Sequence, residues 1–191
     1  LLPWSRFNEV LAITPYWNEE TLKVYFKSRA ALRENYCDMA DVRAGVSAPV
    51  NPAKVKALMG LGASLVANHV HRVCPEVGAV ANVLEREFAA RVAANVYCSF
   101  RGVQAFQTHF DLHDVFAVQT AGEKVWRVYE SRADAPVLPL PPGDEIEKWL
   151  TESRGRLLFE VTMQPGDVLY LPRGQYHDAL TGSQASLHVT F

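Results

Sequence analysis

Gly166-Asp167-Val168-Leu169-Tyr170-Leu171-Pro172-Arg173-Gly174-Gln175-Tyr176-His177 is a short apolar strand held between two turns, and its reading decides the fold. Gly166-Asp167 turns the chain, Val168 to Leu171 form a barrel strand, and Pro172-Arg173-Gly174 reverses direction so that His177 projects back inward. Taken alone, a histidine after such a turn is equally a ligand or a packed core imidazole. His109-Phe110-Asp111 adds the second half. At i and i+2 on one strand face, its imidazole and carboxylate point the same way, and with His177 they make the two-histidine, one-carboxylate set that holds Fe(II) with open coordination positions. The competing reading, in which Asp111 caps a turn and His109 is packed, leaves the shared spacing with His177 unexplained. One metal per chain is expected. His113 falls where the strand turns toward Asp114, and His69-x-His71 has no carboxylate partner at strand spacing.

Outward from these segments the period-two pattern continues. Strand candidates lie near 95–100, 105–111, 114–119, 124–129, 157–162, 167–171 and 184–191, separated by Gly and Pro turns, which is the spacing of a small antiparallel barrel. The first ninety residues read mainly as helix. Ser5 and Asn18 are candidate N-caps, Asn51-Pro52 and Cys74-Pro75 place Pro at a first helical position, and Val77 to Val92 has apolar residues at helical spacing. Between these helices, Ser64-Leu65-Val66-Ala67 reads as a short buried strand. Residues 130–156 carry Pro136, Pro139, Pro141, Pro142 and Gly143 and cannot pair as a central strand, so they are an insertion, with a short helix around Glu145 to Thr151. The expected fold is mainly β with N-terminal helices. It is one domain over 1–191, with 1–93 mainly helical and 94–191 a barrel core interrupted at 130–156. The absent initiator Met and the strand-like ending Ser186 to Phe191 predict a piece of a longer protein.

At 191 residues and 49% hydrophobic content the chain can bury a full core. A net charge of −2 gives no reason to expect a nucleic-acid or membrane surface, and no apolar run is long enough to span a bilayer. Cys37, Cys74 and Cys98 form no CxxC pair, which predicts reduced thiols in a cytoplasmic protein. Oligomeric state has no signature here.

Lys124 shares a face with Trp126 and Val128 on the strand Lys124 to Tyr129, and an amine among apolar neighbours needs an anionic partner such as a cosubstrate carboxylate. The alternative is a lysine at a hairpin end, after Ala121-Gly122-Glu123, with its ammonium reaching water. Periodicity leaves both open.

Gly166-x5-Pro172-x-Gly174-x2-His177 resembles the second cupin motif, with Thr181 where that motif ends in Asn. His109-x-Asp111 stands where the first cupin motif has His-x-His, and no Glu follows it, so a four-ligand site becomes a three-ligand one. The stretches Asn95-Val-Tyr97, His109 to Trp126, Gly166 to His177 and Ser186-Leu-His188-Val-Thr190 together resemble the JmjC-type oxygenases of the cupin-like ribosomal oxygenase group. The resemblance covers residues 50 to 191. It implies a double-stranded β-helix (jelly-roll) barrel, Fe(II) on His109, Asp111 and His177, and 2-oxoglutarate anchored by Lys124, with Asn95, Tyr97 and Ser186 lining the pocket. The activity implied is hydroxylation of a C–H bond with 2-oxoglutarate and dioxygen, on a protein side chain, an RNA nucleoside or a small molecule. A binding module of this fold without catalysis is the rival reading. Asn95 and Tyr97, sharing a strand face, are expected to form the substrate mouth with the 130–156 insertion.

Overall fold

The computed structural model describes residues 1–26, 29–39, 47–100, 106–141, 143–182 and 184–191. In chain order the elements are α1 (Trp4–Leu11), β1 (Leu22–Phe26), β2 (Arg29–Ala30), α2 (Pro52–Gly60), β3 (Ser64–Ala67), α3 (Pro75–Phe88), β4 (Asn95–Ser99), β5 (Phe106–His109), β6 (Val115–Ala121) and β7 (Lys124–Arg132). They continue as α4 (Asp144–Ser153), β8 (Leu157–Met163), β9 (Val168–Leu171), β10 (Gln175–Thr181) and β11 (Ser186–Thr190). Two antiparallel sheets result, a larger one in the order β2-β1-β3-β4-β11-β6-β9 and a smaller one in the order β5-β10-β7-β8. From β4 to β11 successive strands alternate between the sheets except at β7 and β8, which pair with each other in the smaller one, the winding of a double-stranded β-helix.

Period-two alternation sorts each barrel strand between two cores. On β4 and β11, Val96, Cys98, Leu187 and Val189 join the core under the helices, together with Phe7, Val10, Leu65 and Val77. Their alternates Tyr97 and His188 face the other way, toward the space between the sheets. That inner space is packed by Val115, Ala117, Trp126, Val128, Met163 and Leu171. A third cluster of Tyr129, Leu150 and Tyr176, with Phe110 and Ile146 against it, holds α4 to the outside of the smaller sheet.

The N-terminal part is less helical than its composition predicts. β1 and β2 extend the larger sheet beyond β3, with Leu22 paired to Ala67 and Val24 to Leu65. Leu22-Lys23-Val24 does alternate, so the strand was written in the sequence but lay within a segment read as helix. Ser5 sits inside α1, whose N-cap is Pro3. Asn18 caps no helix: its Oδ1 accepts from the backbone N–H groups of Glu20 and Thr21, making the turn into β1. Asn51 does cap α2, accepting from Ala53 and Lys54, and Pro52 and Pro75 take first-turn positions. β10 was absent from the expected strands, while α4 runs longer than the 145–151 helix expected. Ala105, the expected start of one strand, and Pro142 lie outside the described residues. Among the described residues no helix is long and apolar enough to cross a membrane.

Gly122 closes the β6–β7 turn at φ +62, and a Cβ there would collide with the Ala185 carbonyl. Gln119 Nε2 braces the same turn by donating to the carbonyls of Ala121 and Gly122. Gly122→Ala is therefore expected to lower stability by about 2–3 kcal/mol, through left-handed strain and displacement of β11. Urea unfolding checks it: an unchanged midpoint would mean that the turn has an alternative geometry.

Candidate functional site

His109 is the last residue of β5, His177 lies within β10, and the two are direct cross-strand partners with ring centroids 4.4 Å apart. Asp111 stands two residues past the end of β5, so the connection to β6 aims its carboxylate; the i, i+2 strand geometry expected from the sequence does not extend that far. A backbone bond from Gly174 N–H to the Asp111 carbonyl, 2.9 Å, ties this connection to the turn before β10. One ligand atom from each of His109, Asp111 and His177 falls within 4.8 Å of the others, the only such group among the described residues.

The imidazoles are oriented as ligands need to be. His109 Nδ1 lies 2.8 Å from the Gln107 carbonyl and His177 Nδ1 2.9 Å from the Gln175 carbonyl. A carbonyl only accepts, so each Nδ1 carries the hydrogen and each Nε2 is left with its lone pair. Burial and the neighbouring His109 push His177 well below the usual imidazole range, against the pull of Asp111. His177 Nε2 sits 3.5 Å from Asp111 Oδ2. Two imidazole nitrogens and one carboxylate oxygen converge.

From this triad a pocket of about 190 Å³ runs inward between the sheets to Lys124. Lys124 is 3% exposed, which excludes an ammonium reaching solvent at the hairpin end. Its Nζ has Ser99 Oγ at 3.5 Å, and no carboxylate of the described residues lies within ion-pair distance. Burial lowers it from the ordinary 10.5 to about 8. Lys124 is thus a buried amine with no carboxylate partner among the described residues, lining the same cavity as the triad.

Tyr97 lines this pocket, whereas Asn95 and Ser186 do not. Asn95 Oδ1 accepts from the His69 backbone N–H, and its side chain borders a separate groove beside Phe88, Arg91 and Tyr170. Ser186 is fully buried and accepts from Gln119 Nε2, which places it in the support of the β6–β7 turn. His188, to which the sequence reading assigned no role, is in the pocket. It stacks on Tyr97 at 4.9 Å with 5° between planes and meets Trp126 edge-on at 5.4 Å. Burial and the Lys124 charge push its imidazole far below the ordinary value, so it is neutral. The signal was there, since alternation along Ser186-Leu187-His188 sends His188 inward with Ser186. His113 stands at the rim. His71 Nδ1 accepts from the Ala94 backbone N–H, a structural bond.

A wider cleft of about 530 Å³ opens beside His109 and Asp111, bounded by Pro139, Leu140, Pro141, Ile146 and Leu150. The insertion therefore borders the way to the triad, as expected. Its opposite wall is the segment Gln107 to His113 and not Asn95 or Tyr97, because those two lie on β4, in the other sheet.

The family model for the JmjC domain matches residues 69–191. A Dictyostelium discoideum protein described as bifunctional lysine-specific demethylase and histidyl-hydroxylase NO66 is 40% identical over 110 residues, which are 57% of this chain and 21% of that protein. Zebrafish (Danio rerio) ribosomal oxygenase 1 is 38% identical over 113 residues, 58% of this chain and 20% of that protein. The chain thus spans about a fifth of the length of these relatives. Among solved structures, Escherichia coli ribosomal oxygenase YcfD superposes with a TM-score of 0.53 at 15% identity, covering 88% of this chain and 38% of that one, a likeness of fold. With nearly two thirds of its residues inside one family model, and its double-stranded β-helix shared with a solved ribosomal oxygenase, the chain belongs to the JmjC domain family.

Proposed function

We propose that this chain carries the catalytic centre of an Fe(II)- and 2-oxoglutarate-dependent hydroxylase acting on a protein side chain. The observation that carries the reading is the pocket itself, with three convergent ligand atoms at one end and the unpaired buried ammonium of Lys124 at the other. Its volume of about 190 Å³ suits a five-carbon dicarboxylate chelating at one end and ion-paired at the other.

His109, Asp111 and His177 would hold the iron, leaving open positions for the oxo acid and dioxygen. Bound iron with 2-oxoglutarate supplies the oxidising chemistry. The protein supplies position. Both Nδ1–H bonds keep Nε2 facing the metal, Lys124 neutralises the distal carboxylate, and Trp126 and the Tyr97–His188 stack form dry walls along the carbon chain. The substrate side chain would approach through the cleft beside the insertion, since the inner pocket has no room for a second ligand. Relatives described as histidyl-hydroxylases and ribosomal oxygenases support a protein substrate.

The test is succinate formation by the purified chain with Fe(II), 2-oxoglutarate and ascorbate. Slow substrate-free turnover is expected, stimulated by peptides that enter the cleft. Tight 2-oxoglutarate binding without succinate under any of these conditions would overturn catalysis and favour a recognition module.

A further inference from the structure

We propose that Arg154, Thr108, Tyr129 and Asp178 form a positioning network on the back of the smaller sheet that sets the separation of His109 and His177. The proposal rests on the metal-site reading above. Each ligand histidine has a network residue as its chain neighbour, Thr108 before His109 and Asp178 after His177, and alternation puts that neighbour on the outer face of the sheet.

Backbone pairing alone does not secure this part of the sheet. The β5–β10 ladder pairs His177 with His109 and then shifts register before Ala179 meets Phe106. On the other side the β10–β7 ladder shifts between Gln175 and His177. His177 is thus flanked by an irregularity toward each neighbouring strand, and β5 is a four-residue edge strand. Side chains span the gap. Thr108 Oγ1 and the Tyr129 hydroxyl both donate to Asp178 Oδ2, at 3.0 and 2.6 Å. Arg154 Nη1 in turn donates to both hydroxyl oxygens, at 2.8 and 3.0 Å, and lies 3.8 Å from the same carboxylate oxygen. Its guanidinium also covers the Tyr129 ring at 4.3 Å. Asp178 is 2% exposed and its Oδ1 has no hydrogen-bond partner, so the side-chain hydrogen bonds to this buried group all arrive at Oδ2. Loss of one donor moves the carboxylate, and with it the strand that carries His177.

Arg154 is the residue after α4, in the insertion that walls the cleft. Its carbonyl accepts from Ser131 N–H at the end of β7, which anchors the returning chain. The insertion therefore supplies the cation that completes the support behind the metal ligands. Wall and ligand spacing are mechanically joined.

The test uses Co(II) alone as the probe, with affinity and the visible ligand-field spectrum as readouts. Thr108→Val, Tyr129→Phe and Arg154→Ala are each expected to weaken Co(II) by about tenfold or more, the range for outer residues that orient ligands, and to shift the visible bands. Thr108→Ser, which keeps the hydroxyl, and Arg156→Ala, which removes only an exposed pair with Glu130, are expected to match the unmodified protein. Wild-type affinity and spectrum in Tyr129→Phe and Arg154→Ala, even with lowered melting temperatures, would overturn the proposal. A metal-free arm separates this from failure of the metal reading. Amides of 106–109 and 176–178 should exchange faster with solvent in Arg154→Ala than in Arg156→Ala. If the unmodified protein binds no Co(II), the metal reading falls, and this exchange comparison still decides the network, equal rates overturning it.

Discussion

His177→Ala is expected to leave the purified protein without iron after anaerobic loading, with an affinity loss of at least about a hundredfold. The floor comes from the tenfold to hundredfold cost of losing a residue that merely orients a ligand; here a ligand itself is removed from a set of three. Asp111→Ala should behave alike, since His109 and His177 alone leave a two-nitrogen site with no charge to balance the cation. The effect should be local. His177 is one wall of a pocket whose other sides, Trp126 and Ala179, stay in place, so far-ultraviolet circular dichroism should persist in the variant. Full iron occupancy in His177→Ala, measured against the unmodified protein, would remove the triad from the metal site and leave the histidine pair as packing.

What made this site readable in the sequence is that its parts obey short-range rules. The turn Pro172-Arg173-Gly174 precedes His177 by three and Lys124 alternates with Trp126, so their directions follow from turn type and strand period, whereas Asp111, only two residues from His109, is aimed by the connection after β5. The trio adds one long-range fact, the pairing of β5 with β10; the resemblance implied that the three residues meet, but the strand that carries His177 was not among the expected ones. Other features were less accessible. β1 joins the sheet because Leu22 and Val24 find Ala67 and Leu65 across a helix and a long connection, and no local propensity announces a strand pair of that separation. Ser186 and Tyr97 look alike from periodicity, both inward on neighbouring strands. Only the Gln119 amide reaching Ser186 takes that residue out of the pocket. Asn95 is drawn aside in the same way by the His69 backbone, whose left-handed φ of 57 no pattern rule anticipates. The Arg154 network was invisible because it forms across four elements whose register is irregular.

Lys124→Ala is expected to weaken 2-oxoglutarate binding by roughly 30- to 150-fold with iron binding intact, as a desolvated charge-assisted pair worth about 2–3 kcal/mol is lost. The unmodified protein should also show a distinctive pH profile. Burial holds Lys124 at about 8 in the empty pocket, and only the ammonium form can pair with the carboxylate. Affinity should therefore be level below pH 8 and fall by up to tenfold per unit above it, with proton uptake on binding. The titratable groups around Lys124 are silent in this window: burial pushes the Tyr97 hydroxyl further above its ordinary value and Cys98, behind the strand, up to about 12, and His188 is already neutral. Stability of the empty protein should move in the opposite direction. The folded-state value lies below the ordinary 10.5, so between pH 8 and 10.5 the unfolded chain holds more protons than the folded one, and the contribution of Lys124 to stability rises with pH. Opposite slopes for affinity and stability over one pH window, both absent in Lys124→Met, are the signature of a buried cation waiting for an anion. Calorimetry giving unchanged 2-oxoglutarate affinity in Lys124→Ala, or a flat affinity profile from pH 7 to 10 in the unmodified protein, would detach Lys124 from the cosubstrate.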